Sequence, residues 1–382
     1  MKKQIALLST VGLIAGVAHA QSSITLYGIL DVGVNYVSND NGHPNYTVST
    51  VLQGDRWGFK GNEDLGGGLS AIFQLENGFS IANGGLAQGR MFARQSWVGI
   101  NSTRFGSLTM GRQYDAIVDY IVPLPSSNWY IGVAHPFDND NLISSWRLNN
   151  TIKYASPNIG GLTFGGLYAF SNTASTDSGS GFATNRAWSL GGNYQAGSWG
   201  VGAAYTQLSS PNSTTTGAVS GDYIDLSTKS ALGVNGLTSP VLKQDILAAG
   251  TYYTFGSVKM AFVYTNTKFD TAGDTLKFSN YDLNVGYYIR PNLLLAGSYV
   301  FTDGKLDSTG AQPKYHQISA LIDYFLSKRT DVYLLEVYQR AAGDATVASI
   351  APDAYGQGGS AAPDASTSKS QLLVRVGLRH KF

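Results

Sequence analysis

The chain contains 382 residues with a formal net charge of +1, and charged side chains make up only 13% of it. This near balance excludes the strong positive field that is typical of nucleic-acid-binding proteins, and the absence of cysteine excludes disulfides and thiol chemistry. The length and the 43% content of hydrophobic residues suffice for a large core or a wide barrel, so the chain is not disordered in bulk.

The start of the chain has the pattern of a targeting segment. Two lysines precede an apolar run over residues 5–17, and the sequence AHA at 18–20 supplies small residues where a signal peptidase cleaves. An ordinary apolar helix is the alternative, but the basic start, the short apolar run and the small-residue exit occur together. We therefore predict a cleaved signal peptide at residues 1–20 and a single domain at residues 21–382.

Beyond this segment, apolar and polar residues alternate along most of the chain. In ITLYGILDVGVNY, one face carries Ile24 and Val34 and the other carries Asp31 and Asn35. A period of two residues predicts β-strands. The same alternation recurs at residues 258–265, 281–290, 293–302 and 316–326. No window has the run of about 18 apolar residues that a membrane helix needs, so any membrane span has to be a strand.

The connectors between the predicted strands are alternately short and long. Tight connectors lie at residues 65–68, 255–257, 290–292 and 327–330. Long polar connectors lie at residues 38–45, 171–181, 209–243 and 341–369. Tight turns on one rim and long loops on the other are typical of an up-and-down outer-membrane barrel, with short periplasmic turns and long external loops. Counting the alternating runs indicates about sixteen strands, an even number as such barrels require.

The two faces of the predicted strands suit a barrel in lipid. The faces opposite the apolar ones carry charged residues that we expect to line water, namely Asp31, Lys60, Asp282, Arg290, Asp323, Arg375 and Arg379. Tyrosines crowd the strand ends, where aromatic girdles lie at the membrane interfaces. A soluble β-protein also exposes charges on one face, but the signal peptide, the connectors and the chain length together favour the membrane barrel.

Seven sequence blocks carry a family resemblance and fall in order along the chain. They are SSITLYGILDVGVNY from residue 22, RWGFKGNEDLGGGLSAIFQLENGF from 56, RQSWVGI from 94, FGSLTMGRQYD from 105, RLNNTIKYASP from 147, SKRTDVYLLEVYQ from 327 and VGLRHKF from 376. Together they resemble the general porins of Gram-negative outer membranes, in their proteobacterial trimeric branch. The resemblance implies an all-β, sixteen-stranded antiparallel barrel, assembled as a homotrimer, whose water-filled pore is narrowed by an inward-folded third external loop.

The function implied by the resemblance is passive diffusion of small hydrophilic solutes and ions across the outer membrane. Solutes would cross with their water and no bond would be made or broken, so we expect neither enzymatic activity nor a cofactor or metal. The expected partners are further copies of the chain, outer-membrane lipid and lipopolysaccharide, and the assembly machinery, for which Phe382 would be the terminal signal. Nucleic acid is not expected. A substrate-specific channel, and beyond it a barrel enzyme or an adhesin, are the alternatives.

The resemblance also points to a constriction between the third loop, residues 114–146, and the barrel wall. The implied loop acids are Asp115, Asp119, Asp138 and Asp140, and the implied basic residues of the wall are Arg56, Lys60, Arg94 and Arg147. Opposed charges of this kind create a transverse field across a pore. Which acids face the pore is left open, because HPFD at 135–138 stands where relatives have Pro-Glu-Phe-Gly. Arg112 has the parity of lipid-facing residues and is expected at the trimer contact, with a rim position as the alternative.

Overall fold

The computed structural model describes most of the chain beyond the predicted signal peptide. The described residues are 22–50, 52–124, 133, 135–174, 181, 183–211, 217–219, 223, 232–350 and 364–382. The signal peptide predicted at residues 1–20 lies outside them, as does part of the third loop. Within the described residues, no helix combines the length and the apolar character needed to cross a bilayer.

Strands dominate the described chain. Seventeen strands follow in order: β1 (Ser23–Asp40), β2 (His43–Ser49), β3 (Arg56–Gly66), β4 (Leu69–Gly78), β5 (Gln95–Ser102), β6 (Gly106–Gln113), β7 (Leu148–Ala155), β8 (Leu162–Ala169), β9 (Arg186–Ala196), β10 (Trp199–Ser209), β11 (Lys243–Phe255), β12 (Val258–Asp270), β13 (Thr275–Arg290), β14 (Leu293–Leu306), β15 (Pro313–Phe325), β16 (Thr330–Gly343) and β17 (Ser370–Lys381). The short helix α1 (Ala116–Tyr120) lies between β6 and β7, and single 3₁₀ turns occur at Ala87–Gly89, Pro136–Asp138 and Gly233–Asn235.

The strands close into one antiparallel barrel. From β3 onwards each strand pairs with the next, and β17 returns to pair with β1, where Asn35 lies opposite Arg375. β2 and β3 count as one barrel strand, since β1 pairs with β3 over Ser23–Ile29 and with β2 over Gly33–Asp40. The barrel therefore has sixteen strands, and the fold predicted from the sequence is confirmed.

Side-chain exposure follows the predicted alternation along β1. Ile24 and Val34 point outward, with 71% and 58% of their surfaces exposed, whereas Asp31 and Asn35 are buried. Outward apolar side chains suit a lipid environment, and closure of the barrel pairs the strand edges that lipid could not solvate. The inner face is left to polar and charged groups.

The break between β2 and β3 folds into the barrel. Leu52 of this segment belongs to one buried apolar cluster with Tyr333, a residue on the inner face of β16. The Asp55 carboxylate accepts hydrogen bonds from the backbone N–H groups of Asp31 at 2.7 Å and Ile81 at 2.9 Å. The carboxylate thereby supplies acceptors where the strand ladder is interrupted, as buried backbone donors require.

A buried ion pair joins the first and the last strand of the barrel. Arg375 of β17 donates from Nη2 to Asp31 of β1 at 2.7 Å, and neither side chain is exposed. The same guanidinium donates to Asn35 Oδ1 at 2.8 Å, to the carbonyl of Ser49 at 2.6 Å and to the Tyr333 hydroxyl at 2.6 Å. This arginine thus connects β17 with β1, with the end of β2 and with β16.

Helix α1 and the turn after it lie inside the barrel against glycines of the wall, Gly191 of β9 and Gly202 of β10, which we call the glycine floor. A Cβ atom at Gly191 would come within 2.9 Å of the Tyr120 ring, and one at Gly202 within 3.1 Å of Leu124 Cδ1. The missing side chains let the loop approach the wall closely. Ile117 and Leu124 are fully buried there, and each contributes about 1.5 to 3 kcal/mol to the docked loop. The alternation of apolar and polar residues predicts that the inner face of this wall contacts water, but here the third loop covers that face.

The C-terminal phenylalanine closes against β1. The Phe382 N–H donates to the carbonyl of Gly28, and the Gly28 N–H donates to the carbonyl of Phe382, both at 3.1 Å. A Cβ atom at Gly28 would collide with the Phe382 ring. Glycine at this position therefore lets the ring lie directly against the first strand.

Candidate functional site

The third loop begins after β6, and its first acid caps α1. Asp115 accepts a hydrogen bond from the Val118 N–H at 3.0 Å and another from Asn141 Nδ2 at 2.9 Å. Such a cap satisfies a backbone N–H that has no partner within the helix. The carboxylate is buried, and burial raises the pKa of Asp115 to about 6. Asp115 therefore stabilises the loop and does not face pore water.

Asp119 is the predicted loop acid with the most solvent contact. It forms an ion pair with Lys153 Nζ of β7, and its side chain is 25% exposed. Lys153 also donates to the carbonyl of Tyr114 at 3.1 Å. The pair fastens the loop to β7, and its two charges largely cancel at this point of the wall.

Asp138 organises the returning part of the loop. Its carboxylate accepts hydrogen bonds from the N–H groups of Ile143 and Ser145, both at 3.2 Å, and from the Ser145 hydroxyl at 2.6 Å. Burial raises the pKa of Asp138 to about 8, so this group is largely protonated at neutral pH.

Asp140 joins the loop to the wall at β12. It accepts a hydrogen bond from Thr265 Oγ1 at 2.5 Å and lies 2.5 Å from Nδ1 of His135. Burial alone would raise the pKa of Asp140, but the charge of His135 holds that pKa below its usual value. The carboxylate is ionised and enclosed by protein.

The sequence left open which of these four acids face the pore, and the structure separates them. Asp115, Asp138 and Asp140 are buried in hydrogen bonds within the loop or with the wall, and Asp119 keeps some solvent contact. The physical reason is that a loop inside a barrel must satisfy its N–H groups without strand partners. Short acidic side chains provide those acceptors.

Two of the predicted basic residues meet at Tyr114. Arg94 Nη2 donates to the Tyr114 hydroxyl at 3.0 Å, and the Arg147 guanidinium lies 5.4 Å from the centre of the Tyr114 ring. Arg94 Nε also donates to Glu76 Oε1 at 2.8 Å. Tyr114 therefore holds two arginines beside each other, one by a hydrogen bond and one by a cation–π contact.

The other two predicted basic residues lie on β3. Arg56 Nε donates to the carbonyl of Gly54 at 2.9 Å, and Lys60 Nζ lies 5.6 Å from the centre of the Tyr27 ring. Arg56 is half-buried and its charge also acts on the Glu76 carboxylate, whereas Lys60 is exposed. The Tyr27 hydroxyl donates to Glu76 Oε2 at 3.0 Å. We call the set Arg56, Lys60, Arg94, Arg147, Glu76, Tyr27 and Tyr114 the basic wall.

Arg112 lies at the end of β6. It alternates in step with Leu108 and Met110, whose side chains point away from the lumen. Its Nε donates to the carbonyl of Ala93 and its Nη1 to Asn149 Oδ1, both at 2.5 Å. The side chain is buried within the single chain by these contacts. Its role at a trimer contact stays a prediction.

Four residues of the site were not singled out by the sequence analysis. Tyr27 and Glu76 lie on strands, and alternation could have found them: Tyr27, for example, shares the face of Asp31 on β1. Tyr114 and His135 lie in irregular backbone, where alternation indicates no direction. These two residues therefore become visible only when the loop is seen against the wall.

Comparisons with known proteins agree with this geometry. A family model described as Gram-negative porin matches residues 6–345. An outer membrane porin protein of Bordetella pertussis is 30% identical, over 89% of this chain and 94% of its own. Outer membrane porin protein 32 of Delftia acidovorans is 32% identical over 100% of both chains.

Solved structures share the barrel. The anion-selective porin from Comamonas acidovorans has a TM-score of 0.74 and 25% identity, covering 95% of this chain and 100% of that one. An outer membrane protein of Vibrio cholerae, solved in a trimer form, has a TM-score of 0.67 over 94% of this chain and 99% of its own; at 14% identity it shows the fold alone. With a family match over most of its length and two relatives at 30% identity or more, the chain belongs to the Gram-negative porin family.

Proposed function

We propose that this outer membrane porin is a general diffusion channel for small hydrophilic solutes and ions that favours anions. A closed barrel of sixteen strands with a polar inner face is wide enough for a water-filled passage, through which solutes move down their gradients. The relatives named above are porins, and the Comamonas structure is described as anion-selective. Both comparisons support the proposal.

The unequal exposure of positive and negative groups at the constriction carries the anion preference. On the basic wall, Arg56 and Lys60 keep solvent contact and touch a carbonyl and a tyrosine ring. On the loop, Asp138 is largely protonated at neutral pH, and Asp140 is buried with His135 and Asp282 away from solvent. A passing anion would therefore meet the positive side of the field more strongly. That field acts over a Debye length of about 8 to 10 Å at physiological to moderate salt.

Assembly completes the proposal. The protein would form a homotrimer, for which the trimer form of the Vibrio neighbour offers support, with Arg112 near the contact between subunits. Residues 1–20 would be cleaved, and residues 21–382 would fold as one domain in contact with lipid and lipopolysaccharide. Phe382 would be the signal read by the assembly machinery.

Reversal potentials in planar bilayers test the anion preference. Under a KCl gradient, we expect the unmodified protein to favour chloride and the double variant Arg56→Gln/Lys60→Gln to lose most of that preference. The matched control is Lys328→Gln/Arg329→Gln, which removes the same charge from the tight turn between β15 and β16. A cation preference of the unmodified protein, or an unchanged preference of the first variant, would contradict the role of the basic wall.

Solute flux distinguishes a general from a substrate-specific channel. In liposome-swelling assays we expect the rate of sugar entry to rise linearly with concentration and to fall smoothly with sugar size. A rate that saturates for one sugar would indicate the substrate-specific alternative.

A further inference from the structure

His135 lies where the third loop meets the inner wall at β12 and β13. Its side chain is fully buried. Nδ1 lies 2.5 Å from Oδ2 of Asp140 in the loop, and Nε2 lies 3.3 Å from Oδ2 of Asp282 on the inner face of β13. One ring therefore bridges an acid of the loop and an acid of the wall.

The side chains that the described residues place in hydrogen-bonding contact with the two acids of this bridge are neutral apart from His135. Thr265 of β12 and Asn280 of β13 donate to Asp140, and Asn284 of β13 donates to Asp282 at 2.8 Å. Thr302 of β14 donates to Asn280 Oδ1 at 2.7 Å. Asp138 is a further acid of the loop, and the charge of Asp140 adds to the burial that raises the pKa of Asp138. Two buried carboxylates strongly disfavour being ionised together unless a positive charge lies between them.

We propose that His135, as an imidazolium, is a positioning residue that fastens the third loop to β13 and so sets the cross-section of the pore. The inference deepens the proposed function, since it rests on the loop narrowing a diffusion channel. A protonated ring donates from both nitrogens, which matches an acceptor on either side. Burial would lower the pKa of His135, but the charge of Asp140 and the contact with Asp282 raise it to about 10.

Loss of this charge has a consequence that loss of packing does not have. With glutamine at position 135, Asp140 and Asp282 would face each other without the imidazolium between them, and the repulsion of two facing carboxylates would oppose docking of the loop. Loop docking would then depend on pH in the range where buried acids titrate. Removing one of the two acids would restore the charge balance.

Single-channel recording of four variants tests the proposal. At about pH 7, we expect His135→Gln to show excess open-channel current noise and closure at lower voltage than the unmodified protein, with both effects reduced at about pH 5, because two facing carboxylates that have lost the cation between them bind a proton more readily. Asp282→Asn should resemble the unmodified protein, and His135→Gln/Asp282→Asn should recover its behaviour at both pH values. His316→Gln is the matched control, since this histidine contacts Tyr299 on the outer face.

The outcomes separate the proposal from simple packing and from the proposed function. Noise in His135→Gln that is independent of pH and is not rescued by Asp282→Asn would overturn the proposal. So would currents equal to those of the unmodified protein. If the unmodified protein conducts as a diffusion channel in either case, the proposed function stands while the fastening role fails.

A measurement on the unmodified protein covers the case in which His135→Gln does not fold. Nitrogen NMR of histidine-labelled protein in detergent should show one imidazolium that persists at about pH 8. Neutral rings at every histidine at that pH would overturn the proposal.

Discussion

Replacement of Arg375 by methionine should destabilise the barrel by about 3 to 5 kcal/mol, the cost of breaking a buried ion pair. The substitution removes the cation 2.7 Å from Asp31 and the bonds to Asn35, Ser49 and Tyr333, while both charged side chains are fully buried in the native barrel. The Asp31 carboxylate keeps the Tyr333 hydroxyl at 2.5 Å. This remaining donor keeps the loss well below the cost of an isolated buried charge.

Urea unfolding of the protein refolded into lipid vesicles, followed by tryptophan fluorescence, measures this loss. The control is Lys277→Met, because the Lys277–Asp307 pair is nearly as short at 2.8 Å but about 40% exposed, and exposed pairs have little measurable effect. The double variant Asp31→Asn/Arg375→Met should recover part of the stability, since no buried carboxylate is then left alone. A loss in Arg375→Met no larger than in the control would refute the reasoning.

The third loop and its supports lead to three further expectations. Gly191→Leu should push Tyr120 away from the wall and alter single-channel conductance with normal trimer yield; unaltered conductance would count against the glycine floor. Raising the pH from about 6 to about 10 should weaken loop docking and increase current noise, because the pKa values of Asp138 and His135 are raised to about 8 and about 10; constant noise would contradict this. Tyr114→Phe keeps the ring and loses only the hydroxyl, so it should shift the reversal potential less than Tyr114→Leu; equal shifts would show that the ring has no part in the basic wall.

The sign of the pH effect follows from proton linkage. A group whose pKa is raised in the docked loop stabilises docking below its usual pKa, which is 3.8 for Asp138 and 6.5 for His135, and loses that contribution as the pH rises through the raised value. Asp140 acts in the opposite sense, because its lowered pKa costs stability only as the pH falls below its usual 3.8. Docking should therefore weaken steadily on the alkaline side.

Alternation predicted the barrel because lipid outside and water inside impose a period of two on every strand. Ile24 and Asp31 already show the two faces, and the long and short connectors indicate the orientation. Asn35 and Arg375, at opposite ends of the chain, have the correct parity for the pair that the structure forms. The face on which each residue lies depends only on its neighbours in the same strand, so it can be predicted from the local sequence.

The surroundings of the loop carboxylates were harder to predict. Whether each one contacts water or buried hydrogen-bond donors depends on wall residues that are distant in the sequence. Nothing near Asp140 in the sequence indicates that Thr265 donates to Asp140 or that Asp282 comes within reach of His135. The glycine floor is equally remote, since Gly191 and Gly202 matter only once Tyr120 lies over them. The sequence therefore identified the acids of the loop but left open which of them face the pore.

The pairing of β1 with β17 has a consequence for the time course of folding. The bond between Arg375 and Asp31 joins residues separated by 344 positions, so the last seam cannot form until almost the whole chain is in place. Contacts of such long sequence separation slow folding, because a very long loop must close first. Until then both seam strands present unpaired edges that invite pairing with other chains. The rate-limiting event of assembly should therefore be the closing of this seam, at the site where Phe382 meets Gly28.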